Sequence, residues 1–161
     1  MNKDVYFRNF NEAEFTEYME KNLYDYFYEL KVSKRFKNDE EIFNELKRYK
    51  ELFTDGVHTK DFFLYKIVNQ DNVDIGYIWY KKVSNDTVYI CEYLIFDNYR
   101  NSGYGFLTIK KLEDLLIKEK IRNISLHVFS RNEIAIKLYN KLGFIVTGEE
   151  IGGILMNKTL Y

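Results

Sequence analysis

A short turn near the middle of the chain has the residue types of an anion-binding site. An apolar stretch ends at Phe96, and the chain then passes through Arg100-x-x-Gly103-x-Gly105 into a segment with helical periodicity. Glycines let the backbone approach a ligand closely, and the first turn of a helix presents unpaired N–H groups at the positive end of its dipole. The turn matches neither G-x-x-x-x-G-K-S/T nor G-x-G-x-x-G, the two common phosphate loops. It nevertheless suits a pyrophosphate.

A second candidate segment begins at Asn132 and ends at Gly143. Asn132 has the residue type that starts a helix, and Gly143 has the type that follows its last turn. The apolar positions between them recur at the spacing of one helical face: Ala135, Leu138, Tyr139 and Leu142. A short capped helix explains these residues by itself, but it does not explain why both segments occur in this order.

Together the two segments resemble the GNAT superfamily of acyl-CoA-dependent N-acetyltransferases. The matching positions are Arg100-x-x-Gly103-x-Gly105 and then Asn132-x-x-Ala135-x-x-Leu138-Tyr139-x-x-x-Gly143-Phe144, within a region of strong likeness over residues 88–144. The resemblance implies a GNAT-like α/β fold, an α+β mixed sheet that is mostly antiparallel, contains one splayed parallel strand pair and is flanked by about four helices. It also implies that the cofactor enters between the splayed strands and that the N-terminal helices form the variable, substrate-side region.

The resemblance also assigns ligand groups. Backbone groups of Leu94, Ile95 and Phe96 would pair with the pantetheine arm and the acetyl carbonyl of acetyl-CoA, which is a co-substrate. The pyrophosphate would be held by N–H groups of the turn: Arg100, Asn101, Ser102, Gly103, Tyr104 and Gly105. Asn132 would hydrogen-bond the pantetheine, and Tyr139 would direct its hydroxyl at the sulfur.

One departure from the family concerns the turn itself. The family often has Gly after the arginine and Pro a few residues earlier, where this chain has Asn101 and Asp97. Asn tolerates left-handed backbone geometry better than most residues, so we expect the turn to form.

Acetyl transfer needs a proton donor for the departing thiolate, and a phenol such as that of Tyr139 can serve. A half-buried core tyrosine is the alternative in a chain with 15 tyrosines, but the sequence context favours catalysis. The negative oxygen that forms during attack needs an N–H donor, for which the strand-end amide of Leu94 is suitable.

The amine must lose a proton before it attacks, and Glu92 is the best candidate for the base. A carboxylate in an apolar strand is costly unless it faces a cleft or a partner. Strand alternation puts Glu92, Leu94 and Phe96 on one face. A residue at a wet sheet edge, or one paired with a lysine, explains Glu92 equally well. His127 is predicted to be a hydrogen-bonded sheet histidine, and Cys91, pointing away from Glu92, a small core residue.

The elements that must position these residues follow from the periodicity of the chain. A strand at residues 4–10 precedes two helices, the first capped by Asn11 and the second at residues 39–53, with a basic loop at 34–37 between them. The second helix has an apolar stripe that we expect to be buried: Ile42, Phe43, Leu46, Tyr49 and Leu52.

Strands at residues 62–68, 75–83 and 88–96 are separated by turn-forming residues, which predicts an antiparallel meander. A helix at 103–120, a strand at 124–129, a helix at 132–142 and one or two strands after residue 144 complete a mixed sheet flanked by helices. No linker interrupts the chain, so we expect a single domain over residues 1–161.

Composition excludes several classes of protein. A net charge of -1 gives no field that would attract nucleic acid or an anionic membrane. One cysteine excludes an intrachain disulfide framework, and two distant histidines predict no metal site. The N-terminus lacks a signal-peptide pattern and no run approaches the roughly 18 apolar residues of a membrane span, which favours the cytoplasm. A homodimer is left open.

These observations predict an N-acetyltransferase that moves the acetyl group of acetyl-CoA directly to a primary amine. A small-molecule acceptor is expected, such as a polyamine, an amino-acid derivative or a drug. A protein lysine or N-terminal amine is the alternative acceptor, and a non-catalytic acyl-CoA sensor is the alternative from another class, although Tyr139 argues against it.

Overall fold

The computed structural model describes residues 3–33, 36–150 and 152–161, which fall into two compact units. One unit comprises Met1–Asn9 and Asp61–Tyr161, and the other comprises Phe10–Lys60. The expectation of a single domain stays a prediction.

A seven-stranded sheet organises the larger unit, in the spatial order β1-β2-β3-β4-β5-β7-β6. The strands are β1 (Val5–Asn9), β2 (Phe62–Asn69), β3 (Asp74–Lys82), β4 (Thr87–Ile95), β5 (Asn123–Phe129), β6 (Ile145–Glu150) and β7 (Gly153–Thr159). Among the described strands, only β4 and β5 pair in parallel, and the other neighbours are antiparallel. The predicted mixed sheet with one parallel pair, and the predicted meander of β2, β3 and β4, are confirmed.

Two helices of this unit supply the apolar surface that covers one face of the sheet. They are α3 (Tyr104–Lys118) and α4 (Glu133–Lys141), close to the predicted bounds. Ile109, Leu112 and Leu116 recur at helical spacing on α3 and are fully buried together with Ile124 and Leu126 of β5. The core therefore lies between α3, α4 and the strands that carry the predicted site.

A buried carboxylate of α3 joins this helix to β7 through an ion pair. Glu113 is 3% exposed, and its oxygens lie 2.6 Å from the ammonium of Lys110 and 2.5 Å from that of Lys158. A buried charge is tolerated when it is paired and hydrogen-bonded, as Glu113 is. This ion cluster ties the helix that follows the glycine turn to the sheet.

The smaller unit is a pair of helices, α1 (Glu12–Val32) and α2 (Asp39–Glu51). Asn11 starts α1 through a capping box with Glu14, as the sequence predicts. Of the predicted basic loop at residues 34–37, the first two residues lie outside the described part of the chain.

The predicted buried stripe of α2 is wrong at two positions. Ile42 is buried, but Phe43 is 60% exposed and Leu52 is 42% exposed. Both lie at the margins of the narrow stripe that a short helix buries, and the ring of Phe43 rests instead against that of Phe27, with centroids 5.4 Å apart. The sequence also missed the buried Asn22 of α1, whose amide donates to the Tyr18 hydroxyl at 2.7 Å.

No helix among the described residues is both long and apolar enough to cross a membrane. Nor do His, Cys, Asp and Glu side chains of the described residues gather in a group of three or more that could hold a metal ion.

Candidate active site

The parallel strands β4 and β5 separate part-way along their length. They pair from Thr87 with Asn123 as far as Ile90 with Leu126, and among the described residues no further pairing joins the two strands. Beyond that point β4 runs on to Ile95 beside β3, while β5 runs on to Phe129 beside β7. A cleft of about 570 Å³ opens between them and is lined by both strands, the glycine turn and α4. The splay implied by the resemblance is therefore present in this chain.

A β-bulge sets the direction of the side chains on β4. Tyr80 of β3 pairs with Ile90 and Trp79 pairs with Glu92, so Cys91 is the extra residue. Val88 and Ile90 before the bulge, and Ile95 after it, all reach the buried core. Glu92 is thereby turned away from the core, whereas unbroken alternation from Ile90 would have pointed it inward.

Cys91 is not the small core residue that we expected, because the bulge places it half-buried on the wall of the cleft. Burial raises the pKa of its thiol to about 12, which disfavours the nucleophilic thiolate. Its exclusion as a nucleophile therefore rests on desolvation.

The glycine turn forms part of the cleft wall through Arg100, Asn101, Gly103 and Gly105. A short 3₁₀ helix at Asp97–Tyr99 precedes it, and Asn101 and Gly103 adopt left-handed conformations with φ of +56° and +87°. The expectation that Asn101 tolerates this geometry is confirmed. The helix begins at Tyr104, and Leu107 is the residue whose N–H bonds back to the Gly103 carbonyl, at 3.1 Å. The N–H groups before Leu107 therefore have no carbonyl partner within the helix.

Side chains donate hydrogen bonds to carbonyl groups of this turn and of the strand end just before it. Arg100 donates through Nε to the Ile95 carbonyl at 2.8 Å and pairs with Asp97 at 2.8 Å. Lys3 donates to the Ser102 carbonyl at 2.5 Å, and the Ser102 hydroxyl donates to the Arg100 carbonyl at 3.1 Å. The N–H of a trans peptide points opposite to its carbonyl, so these contacts restrict the orientation of the adjoining N–H groups of the turn. The guanidinium of Arg100 braces the end of β4.

Asn132 and Tyr139 occupy α4 as predicted. The side-chain oxygen of Asn132 accepts from the Ala135 N–H at 3.2 Å and starts the helix, which leaves its amide N–H groups as donors at the cleft. Tyr139 lines the cleft but is only 6% exposed, with its ring 5.3 Å from that of Phe144. Burial raises the pKa of the Tyr139 hydroxyl, which keeps it protonated.

Sequence reasoning missed a second buried phenol in the cleft. Tyr93 of β4 donates to the Gly105 carbonyl at 2.9 Å and so connects the splayed strand to the first turn of α3. Burial raises the pKa of this hydroxyl as well. An aromatic residue in an apolar strand gives no sequence signal for such a contact.

Glu92 lies half-buried on the wall of the cleft, and its carboxylate accepts a hydrogen bond from the Tyr77 hydroxyl at 3.0 Å. The ring of His127 lies against the neighbouring strand β7. Its Nε2 occupies the space that a Cβ on Gly153 would need. Its ring meets that of Phe129 edge to face at 5.3 Å. His127 also lines the cleft, so its assignment as a hydrogen-bonded sheet histidine stays a prediction.

Leu94 and Gly76 approach each other across β3 and β4. A Cβ on Gly76 would overlap the Leu94 carbonyl oxygen, so the strand can take this course only beside a glycine. The position of the Leu94 peptide group, which the resemblance assigns to the acetyl carbonyl, therefore depends on a residue of the preceding strand.

A mixed sheet opened between two parallel strands, with a glycine turn and a capped helix on the rim of the opening, defines the class of acyl-CoA-dependent acyltransferases. The chain belongs to the Acetyltransferase (GNAT) family, whose model matches residues 11–144. It is therefore an acyltransferase enzyme.

Known relatives agree with this assignment. The chain is 28% identical over 118 residues to the uncharacterized N-acetyltransferase YycN of Bacillus subtilis, over 69% of this chain and 72% of YycN. The crystal structure of YycN superimposes with a TM-score of 0.82 at 21% identity, over 91% of this chain and 95% of that one.

Two further solved structures share the fold and contain coenzyme A. The paiA N-acetyltransferase of Thermoplasma acidophilum, in complex with coenzyme A, has a TM-score of 0.69 at 18% identity, with 99% of each chain covered. The spermidine N-acetyltransferase of Vibrio cholerae, in complex with CoA and spermine, has a TM-score of 0.68 at 14% identity, covering 98% of this chain and 96% of that one.

Proposed function

We propose that this enzyme transfers the acetyl group of acetyl-CoA directly to a primary amine. The observation that carries the proposal is the opening between β4 and β5, which is lined by the glycine turn, with its left-handed Asn101 and Gly103, and by Tyr139. The coenzyme A bound by two proteins of the same fold supports acetyl-CoA as the co-substrate.

The residues of the cleft suit the three parts of acetyl-CoA. N–H groups of residues 101–105 would bind the pyrophosphate, since a helix N-terminus favours an anion; the Arg100 N–H already donates to the Asp97 carbonyl at 3.2 Å. Of the predicted Leu94, Ile95 and Phe96, the backbone of Ile95 would pair with the pantetheine arm in place of the missing strand, because the Phe96 N–H already donates to the Ile75 carbonyl of β3 at 2.8 Å. The amide of Asn132 would donate to the same arm from the start of α4.

The chemical steps are assigned to three groups. Glu92 would take the proton of the acceptor ammonium, and the resulting amine would attack the acetyl carbonyl. A backbone N–H on the open side of β4 would stabilise the negative charge on the acetyl oxygen. The N–H of Leu94, predicted for this role, lies on the β3 side of the strand, as does that of Phe96, which donates to the Ile75 carbonyl at 2.8 Å. Tyr139 would give its proton to the sulfur as the C–S bond breaks, which a buried and therefore protonated phenol suits. The nitrogen would release its second proton to water as the amide forms, and water would reprotonate the phenolate.

A small cationic amine is the favoured acceptor. The exposed residues of α1 include three carboxylates, two tyrosines and one lysine at helical spacing, a composition that on balance attracts cations: Glu17, Glu20, Lys21, Tyr24, Asp25 and Tyr28. A polyamine, an amino-acid derivative or an amine drug fits this chemistry. The likeness to a spermidine N-acetyltransferase supports a polyamine in particular. A protein lysine or N-terminal amine is the second candidate.

The test has two stages. Isothermal titration should detect binding of acetyl-CoA, and a thiol-release screen across polyamines, amino-acid derivatives, aminoglycosides and lysine peptides should find an accepted amine. Binding without turnover of any amine would favour the acyl-CoA sensor. Failure to bind acetyl-CoA would overturn the proposed function.

A further inference from the structure

We propose that Tyr77 is a positioning residue that holds the Glu92 carboxylate ready for the acceptor amine. The inference rests on the proposed role of Glu92 and adds a residue that the family motifs do not contain. Tyr77 lies on β3. It is therefore outside the glycine turn and α4, the two segments that the sequence motifs identify.

The contact between the two side chains is direct and largely shielded from water. The Tyr77 hydroxyl donates to Oε1 of Glu92 at 3.0 Å, and Tyr77 is only 9% exposed. Tyr77 pairs with Leu94 across the two strands, and Glu92 precedes Leu94 by two residues, so the phenol reaches the carboxylate diagonally on one face of the sheet. The bulge at Cys91 is what brings Glu92 onto that face.

Packing fixes the phenol in place. The ring of Tyr77 meets that of Phe96 edge to face, with centroids 6.2 Å apart. A hydroxyl on a fixed ring restricts the rotamers of the carboxylate that it contacts, and one oxygen of Glu92 is thereby held. A second effect is electrostatic, because a donated hydrogen bond favours the ionised carboxylate over the neutral acid.

Tyr77→Phe separates this role from a structural one, because it keeps the ring and removes only the donor. Glu92 would then ionise at higher pH, so the acidic limb of the kcat/KM profile for the amine should move upward by about half to one pH unit. Below the midpoint, kcat/KM should fall about three- to tenfold. The KM for acetyl-CoA should stay within twofold, since the phenol does not belong to the groups assigned to that ligand.

The shift of the acidic limb can be assigned to Glu92 only if the variant leaves the other titratable or charged groups of the described elements around it unchanged. They are Lys81 on β3, Cys91 on β4, His127 on β5, Arg100 in the turn, and Tyr139 and Lys141 on α4. Tyr77→Phe alters none of them. Tyr80→Phe is the matched control, because Tyr80 is a fully buried tyrosine of the same strand that faces the core. Its acidic limb should not move.

A double-mutant cycle with Glu92→Gln completes the experiment. Glu92→Gln should abolish the acidic limb, and adding Tyr77→Phe should then have no further effect on the profile. An unshifted limb in Tyr77→Phe, with Glu92→Gln strongly impaired, would overturn the positioning role and leave the base in place. An unaltered profile in Glu92→Gln would remove the base from the proposed function and this inference with it. Thermal melts and acetyl-CoA titration of each variant report folding and the cofactor site independently.

Discussion

Tyr139 presents a phenol at the wall of the cleft with most of its surface buried. Tyr139→Phe retains the ring beside Phe144 and removes only the hydroxyl. If that hydroxyl protonates the leaving thiolate, kcat should fall by about 10²-fold, the usual size of a lost general acid. Affinity for acetyl-CoA and the melting temperature should change little, since the interaction is made chiefly in the transition state. Steady-state thiol release measures the effect.

Tyr80→Phe provides the comparison, because Tyr80 is a buried tyrosine that does not line the cleft. We expect it to change stability and leave kcat near that of the unmodified enzyme. Equal kcat values for Tyr139→Phe and the unmodified enzyme would show that Tyr139 has a packing role and no catalytic one.

The sequence identified residues that lie within short motifs. It did not identify residues that reach the site from distant positions in the chain. Tyr139 and Asn132 stand at fixed spacings within one helix, so a local pattern identifies them. Tyr77 contacts Glu92 from another strand, and Lys3 contacts Ser102 from 99 residues away. Contacts of that kind depend on strand register and on the path of the terminus, which local periodicity does not determine.

At the scale of elements, the glycine turn can be tested with a substitution whose backbone strain is matched in a control variant. Gly103 has φ of +87°, and a Cβ there would meet no atom within 4 Å. Asn tolerates this conformation, so Gly103→Asn should lower the melting temperature only slightly. Its side chain would occupy the space assigned to the pyrophosphate, and affinity for CoA should fall at least tenfold by isothermal titration.

Gly152→Asn is the matched control for this turn. Gly152 has φ of +81°, has the same open space around its Cβ, and lies outside the cleft. It should reproduce the change in stability and leave CoA affinity intact. A similar loss of CoA affinity in both variants would reduce the turn at Gly103 to a structural role.

An ion cluster on β1, β2 and β3 makes the stability of the folded chain depend on pH. Asp74 of β3 lies 3.0 Å from both Arg8 of β1 and Lys66 of β2. Partial burial raises the pKa of Asp74, but hydrogen bonds and charges from Lys66 and Arg8 outweigh it and hold the pKa below its ordinary value of 3.8. Because the folded pKa is lowered, the stabilisation is present above pH 3.8 and disappears as the pH falls through the folded value.

Asp74→Asn should therefore be less stable than the unmodified enzyme at neutral pH, by about 1 kcal/mol or less because the groups are partly exposed. The difference should persist down to about pH 4 and vanish below it. Urea unfolding of both proteins across this range measures the difference. A difference that stays constant to pH 2 would exclude the ion cluster as its cause.

The elements themselves were largely predictable, and the exceptions have local causes. Alternating apolar residues and turn composition predicted β2, β3 and β4 to within a residue or two. The bulge at Cys91 was not predictable, because a single extra residue in a strand leaves apolar residues on both sides of it. The insertion of β7 between β5 and β6 was equally hidden, since strand order depends on long-range pairing.

For the whole molecule, ligand binding and stability are linked. Under the proposed function acetyl-CoA binds the folded chain through groups from several elements, so it should raise the melting temperature. At a concentration one hundred times Kd the gain should be about 2.7 kcal/mol. NAD and ATP are the comparison ligands and should have much smaller effects. A melting curve unmoved by saturating acetyl-CoA would contradict the assigned cleft.

The separation of β4 and β5 also creates two strand edges in the middle of a sheet. Open edges recruit strands from other molecules, and residues 88–96 form an apolar, β-prone run whose single charged residue is Glu92. A charge within such a run opposes strand pairing between molecules, so Glu92→Gln should aggregate more readily than the unmodified chain. A ligand that fills the opening should oppose the same pairing, so added CoA should raise the solubility of both proteins.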